Sequence, residues 1–234
     1  MPAHHKKASA AISRSRPQSA LRYPLTDMLG AEANVRVLRE LVRHGGEIAT
    51  PSLILRTGLA QSSVREALVG LQSMQIVEAL GSGRSQLFRL RSKHPLAPAV
   101  ANLFDAEETR FEAVLASVRS AAAKSVIAAW LYGSVARGED RPDSDLDVAV
   151  VADYGRLHSV EERMREALSS AGESLAFRSS VVVIDTRDVQ RLTKERDPWW
   201  QTAIRDSIPI VGERPEMLAT WLDRRTERVR RKAG

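Results

Sequence analysis

Residues 131–151 read LYGSVARGEDRPDSDLDVAVV, and no other stretch of the chain limits its fold as sharply. An apolar run ends at Gly133-Ser134, and after ten intervening residues Asp145-Leu146-Asp147 opens a second apolar run. Short apolar runs bounded by Gly, Pro and Asp predict strands, here over residues 125–131 and 147–152. Glycine has no Cβ, so a Gly-Ser turn after a strand lets backbone N–H groups and the Ser134 hydroxyl approach an anion. Residues two apart on a strand share a face, so Asp145 and Asp147 direct two carboxylates the same way. Hard oxygen ligands suit Mg2+, which is often held by one or two carboxylates together with substrate phosphates. The stretch therefore predicts a phosphate-gripping turn at Gly133 and Ser134, with Asp145 and Asp147 as metal ligands.

Other chemistries are excluded by what is missing. The 234 residues include no cysteine, which rules out disulfides, thiolate metal sites and a cysteine nucleophile. That usage fits a reducing, cytoplasmic setting. No apolar run approaches the roughly 18 residues that a membrane span needs, and no secretory h-region opens the chain. A membrane is therefore not an expected partner.

Charge divides the chain. Residues 1–100 carry 14 Lys/Arg against 6 Asp/Glu, whereas residues 101–234 carry 21 against 23. A basic first half beside a near-neutral remainder points to a polyanion partner for the first half.

Five segments follow from the pattern. Residues 1–24, rich in Ala, Ser, Lys and Arg, predict a disordered basic tail. Residues 25–92 predict a small helical domain with a hairpin. Val35, Leu38, Leu41 and Val42 recur at helical spacing, and Thr50 precedes Pro51 as an N-cap before a short helix. A second helix, starting near Ser62 or Ser63, carries Val64, Ala67, Leu68 and Leu71 on one face. Residues 76–80 and 86–90 alternate around a Gly-rich turn, as in a β-hairpin. Residues 93–104 predict a connector with two prolines. Residues 105–212 predict a second domain, opened by a helix with Asp105 as cap, Glu108 as its capping-box partner, and Phe111, Val114, Leu115 and Val118 facing inward. Residues 213–234 predict a basic C-terminal helix bearing Arg224, Arg225, Arg228, Arg230, Arg231 and Lys232. The expected class is α+β, a winged helix (helices with a β-hairpin) followed by an α/β domain with a mixed sheet.

Three helices, a tight Gly turn and a hairpin within residues 26–92 resemble the winged helix-turn-helix domain, and the stretch GLAQSSVREALVGLQ is similar to many bacterial regulators. The resemblance implies double-stranded DNA as partner, with the second helix of the pair in the major groove and its first residues at base edges. Those positions here are Gln61, Ser62, Ser63 and Arg65, with Glu66 beside them, while Arg84 would reach the backbone or minor groove from the wing. One winged helix reads one half-site, so a homodimer is implied for a specific regulator.

The motif of residues 131–151 resembles the DNA polymerase β-like superfamily and, within it, the minimal nucleotidyltransferases, whose signature is Gly-Ser, ten residues, Asp-x-Asp. Gly133, Ser134, Asp145 and Asp147 match with the spacing intact, and Arg137, Gly138 and Ser144 fit the smaller group's habits. The resemblance covers about residues 105–212, with AIRDSIPIVG (203–212) similar to the closing helix of that domain. It implies Mg2+ and a nucleoside triphosphate, ATP first, with Gly133, Ser134, Arg137 and Ser144 as nucleotide-binding residues. It also implies a third catalytic carboxylate on the next strand. That strand, residues 178–185, has no acid near Ser180 or Val182. Asp185 stands at its far end, so either Asp185 serves through a register shift or the site is degraded. Trp199 and Trp200 suit either base stacking or the core.

Two functions fit. One is a transcriptional regulator whose second domain binds an Mg-nucleotide. The other is an active nucleotidyltransferase, moving NMP to a protein such as a HEPN-type toxin while the winged helix gives autoregulation. A small-molecule nucleotidyltransferase is the least favoured, because no acceptor pocket is legible.

Overall fold

A computed structural model describes residues 28–122 and 126–233, with the side chains of Arg84 and of residues 226–233 left undescribed. The expected basic tail over residues 1–24 lies outside the described residues. The chain divides into two compact units, residues 1–106 and 107–234.

The first unit contains α1 (Glu32–His44), β1 (Ile48–Ala49), α2 (Thr50–Thr57), α3 (Gln61–Ser73), β2 (Val77–Leu80) and β3 (Leu87–Leu90). Helix α1 buries Val37, Leu38 and Leu41 and stops at Gly45. Helix α2 starts one residue earlier than expected. Thr50 is its first residue rather than its cap, Ala49 takes the cap position without a side-chain bond, and Pro51 occupies the first turn, where a missing N–H costs nothing. Gly58 ends α2 at φ +66°, a left-handed conformation that glycine adopts without steric cost, and so sets the turn into α3. Helix α3 buries Val64, Ala67, Leu68 and Leu71, the face its periodicity predicts. The hairpin β2–β3 pairs Val77 with Leu90 and Leu80 with Leu87. Strand β1, too short to show a period, adds Ile48 opposite Phe88 to give the order β1-β3-β2. Arg89 crosses this sheet, with Nε 2.7 Å from Glu78 and a guanidinium nitrogen 3.3 Å from Glu47. Three helices and a three-stranded antiparallel sheet share one buried core, the arrangement expected of a winged helix-turn-helix domain.

The expected connector is helical from Ala97 onward. α4 runs Ala97–Ala122, so Asp105 lies inside a helix rather than at its cap. Pro98 sits in the first turn, which tolerates proline, and the following Ala, Leu and Glu residues favour continuation. Ala97, Val100 and Phe104 pack into the first core, and Val114, Val118, Ala121 and Ala122 into the second. Phe111, expected to face inward, is exposed.

The second unit continues with β4 (Val126–Tyr132), α5 (Gly133–Arg137), β5 (Leu146–Ala152), α6 (Leu157–Leu175), β6 (Ser179–Asp185), α7 (Thr186–Glu195), α8 (Pro198–Asp206), β7 (Ile208–Val211) and α9 (Pro215–Ala233). Its sheet has the order β6-β5-β4-β7, with β5 and β6 parallel and the other pairs antiparallel. Successive residues of β5 point to opposite faces. Val148 and Val150 meet Val118, Met164 and Leu168, while Ala149 and Val151 lie in a second cluster with Trp130, Trp200 and Leu222. The segment 203–212 is not wholly helical, because α8 ends at Asp206 and β7 forms the sheet edge beside β4. Pro209 is tolerated there because an edge strand can lack one N–H. Among the described residues, no helix is long and apolar enough to cross a membrane.

Candidate functional site

Strand β4 delivers the chain to the site and β5 takes it away. Tyr132, the last residue of β4, is paired in register with Asp147 on β5. The chain reverses at Gly133, φ +76°, and α5 follows as a short helix ended by Gly138. A Cβ at Gly133 would meet the Asp147 carboxylate, 3.2 Å from its Cγ and closer still to Oδ2. The turn is therefore moulded on the acid. Asp147 is half-buried and Asp145 is exposed just before β5. Burial, and then the charge of Asp145, push the Asp147 carboxyl above its usual range, while Arg137 pulls the other way. Burial also raises the Tyr132 phenol, and the Asp147 charge adds to that.

The third-acid position is settled by the strand register. Asp147 pairs with Ser180 and Ala149 with Val182 on β6, while Asp185 pairs with Ala152. Five residues separate Asp185 from the level of Asp147, about 17 Å of strand. Asp185 is buried and accepts the backbone N–H groups of Arg187 at 2.7 Å and Asp188 at 2.8 Å, forming a capping box at the start of α7. Asp185 is thus a helix cap, and a register shift does not bring it to the pair. Among the described residues, no group of three or more His, Cys, Asp or Glu side chains gathers to hold a metal ion.

The basic groups differ from expectation. Arg137 does not stand free beside the turn. Its Nε lies 2.7 Å from Glu139 and a guanidinium nitrogen 2.7 Å from Asp206, so it clasps α5 to the end of α8. Asp206 also receives Arg205 at 2.6 Å, and these two arginines hold its carboxyl down to about 2. The Ser144 hydroxyl accepts the Arg141 N–H at 2.9 Å and closes a local turn. Asp145 is paired with Arg178, a residue that the sequence pattern marks only as the start of a strand. Its Nε is 3.1 Å from Asp145, and it donates to the Asp143 carbonyl. A cleft of about 710 Å3 opens beside Asp145, lined by Arg165, Ser169, Glu173, Arg178 and Ser180 among others. Trp200 belongs to the core, donating to Thr193 Oγ1 at 2.8 Å, and Trp199 stands edge-on to Tyr132 at 5.7 Å.

In the first unit, Gln61, Ser62, Arg65 and Glu66 are exposed at the start of α3 and Ser63 is partly covered. A groove of about 750 Å3 runs between α3, α2 and the wing, lined by Thr50, Gln61, Arg65, Gln72, Gly83 and Gln86 among others. Arg84 belongs to the wing turn Gly83–Ser85, but its side chain lies outside the described residues.

Residues 118–210 match the family described as "Polymerase beta, Nucleotidyltransferase". Similar solved structures include the AntR antimony-specific transcriptional repressor, at 18% identity over 47% of this chain and 96% of that one, TM-score 0.33. A structure described as a minimal nucleotidyltransferase is 33% identical over 45% of this chain and 93% of that one, TM-score 0.29. A toxin–antitoxin structure with AMP-PNP is 18% identical over 53% of this chain and 90% of that one, TM-score 0.29. No curated protein is a match.

Proposed function

We propose that this chain, whose second unit carries a nucleotidyltransferase domain of the polymerase β family and whose first is a winged helix, is a nucleotide-responsive DNA-binding regulator. The second unit would bind a nucleoside triphosphate, ATP first, with Mg2+. The first would bind duplex DNA, as part of a cytoplasmic homodimer.

The observation that carries the nucleotide reading is the fit of the Gly133 turn to the Asp147 carboxylate, with Asp145 beside it. Burial and the neighbouring Asp145 charge raise the proton affinity of Asp147, so its ionised form favours a cation at this position. A divalent ion supplies that charge, and Mg2+ accepts one or two carboxylates when phosphate oxygens and water fill its remaining positions. Asp145 and Asp147 would hold the ion, which would neutralise phosphate charge. The Gly133-Ser134 turn would offer its backbone and hydroxyl to the phosphates. Arg178, already beside Asp145, is the available cation for the same anion.

Ser180 at the third-acid position favours binding over turnover. General-base assistance is typically worth 10²–10⁴-fold, roughly the rate a site lacking its base forgoes. For the DNA reading, the basic charge of residues 1–100 supplies the phosphate attraction, and the groove between α3 and the wing offers polar groups to a backbone.

The second reading, NMP transfer to a protein such as a HEPN-type toxin, is favoured by the cleft at Asp145, which leaves room for an acceptor beside the acids. One experiment separates the two. The full chain is incubated with Mg2+ and labelled ATP, with and without lysate, while calorimetry measures ATP binding. The regulator reading expects binding that Asp145→Ala/Asp147→Ala removes, no label transfer, and a promoter mobility shift that ATP alters. Label transfer lost in that double variant would establish the enzyme instead.

A further inference from the structure

We infer that Val69 reads the 5-methyl group of a thymine in the major groove, which makes it a sequence-determining residue of the winged helix. The inference deepens the DNA-binding reading and rests on it.

Helix α3 turns Val64, Ala67, Leu68 and Leu71 inward. At 100° per residue, the direction opposite that core is taken by Ser62, Glu66, Val69 and Ser73, with Arg65 on the flank. Ser62, Arg65, Glu66 and Val69 are all exposed there, Val69 at 67%. Val69 is the apolar member of an otherwise polar face, and a β-branched residue is among the weaker helix formers. Its neighbour Gly70 is costlier still, since mid-helix glycine loses about 0.5–1 kcal/mol relative to alanine. The unit itself does not require that glycine, because a Cβ there would meet nothing within 4 Å. Val69 presents a methyl-bearing surface about 40° round the helix from Arg65, and Gly70 leaves the backbone unobstructed on the other flank. Neither packs the core, and both suit a large body approaching α3 closely.

Duplex DNA is the occupant that the charge supports, given the basic excess of residues 1–100 and the exposed Arg65 on the same helix. In the major groove thymine alone presents a methyl, and apolar side chains read it by contact, while arginine reads guanine by two hydrogen bonds. Val69 lies one helical turn beyond Arg65, so the preferred site should hold a thymine close to a guanine.

The test selects random-sequence duplexes on the full chain and resynthesises the most enriched one with 2′-deoxyuridine at each thymine in turn. Affinities are measured for the unaltered chain, Val69→Ala and Gly70→Ala, with thermal melting to show that both variants fold. At one position per half-site, deoxyuridine should weaken binding about fourfold, the factor that one buried methyl corresponds to. Val69→Ala should lose a similar factor on the thymine duplex and be indifferent to deoxyuridine at that position. Gly70→Ala should weaken binding to both duplexes. Indifference of the unaltered chain to deoxyuridine at every position overturns the assignment, as does full sensitivity retained by Val69→Ala. If no duplex is enriched or bound at any salt concentration, the DNA-binding reading itself falls and the assignment with it.

Discussion

Gly133 and Asp147 are fitted to each other so closely that the first has no room for a side chain. The carboxylate occupies the space where a Cβ would stand, and φ at Gly133 is +76°, a conformation that L side chains rarely adopt. Gly133→Ala should therefore act twice. It should cost about 1–3 kcal/mol of stability from backbone strain. It should also push the Asp147 carboxylate off its position and weaken Mg-ATP binding by about tenfold or more, the loss expected when a ligand-supporting group is disturbed. Thermal melting and calorimetry read the two effects separately. Full-strength Mg-ATP binding in a folded Gly133→Ala chain would remove this contact from the site.

Asp147 carries a raised carboxyl, so its ionised form is a burden in the absence of a cation. The folded chain holds the Asp147 proton more tightly than the unfolded chain does. Stability from this group is therefore present at low pH and lost as pH rises through the folded value. At pH 7 the charged acid costs stability, and Asp147→Asn should raise the Tm. The gain should fade as the pH falls towards about 4, because the folded wild-type acid takes up its proton above that value. Melting curves at pH 7 and pH 3.5 measure the difference, and the same variant should lose Mg-ATP binding at pH 7.

Arg178 is the cation nearest Asp145, and in the absence of ligand it competes with a metal for that carboxylate. Exposed ion pairs are worth about 0.2–1 kcal/mol. Arg178→Gln should accordingly tighten nucleotide-free Mn2+ binding by about 1.4–5-fold, which converts that range. Paramagnetic titration of both proteins checks it, and unchanged or weaker Mn2+ binding would separate Arg178 from the metal position.

How much of this was legible depended on range. Gly133, Ser134, Asp145 and Asp147 form one short signature between two apolar runs, and the strands on both sides followed from it. Val64, Ala67, Leu68 and Leu71 were legible because a 3.6-residue period survives in any helix with one buried face. Strand β1 was not, since two residues show no period. The start of α4 was hidden by Pro95 and Pro98, which read as a break although proline suits a first helical turn. Strand β7 was hidden by the helical pattern of 203–206 running into it and by Pro209. Asp185 was identified as an acid at the end of a strand, and only the register and the start of α7 reveal that it caps a helix. Arg137 and Arg178 look alike in the sequence. What separates them is partners 69 and 33 positions away, Asp206 and Asp145, and no local pattern encodes such distant pairs.

Asp206 anchors the clasp that steadies α5, with its carboxyl held to about 2 by Arg205 and Arg137. A carboxyl with a depressed folded value stabilises the chain above its unfolded value and loses that contribution as pH falls towards the folded one. The window here runs from about pH 4 down to about pH 2. Asp206→Asn should lower the Tm at pH 7, with the gap to wild type closing across that window. Mg-ATP affinity should fall as well, because Arg137 would hold α5 through Glu139 alone. A variant that melts like wild type at pH 7 would show that the clasp adds nothing.

Arg65 is exposed on α3 beside the groove to the wing, so its role divides into a part that depends on sequence and a part that does not. If it makes two hydrogen bonds to a guanine edge, Arg65→Ala should cost about 1–3 kcal/mol, or roughly 5–150-fold, on the preferred duplex and relax the preference at that base pair. If it only touches phosphate, the loss should be similar on all sequences. In that case the slope of log affinity against log salt should become shallower by about 0.9. Titrations of preferred and scrambled duplexes at 50 and 200 mM salt distinguish the two patterns. The outcome expected is the first: a large loss on the preferred duplex, a small one on the scrambled duplex, and an almost unchanged salt slope. Equal losses on both duplexes would move base reading away from Arg65 to the exposed Gln61 and Ser62 at the start of the same helix.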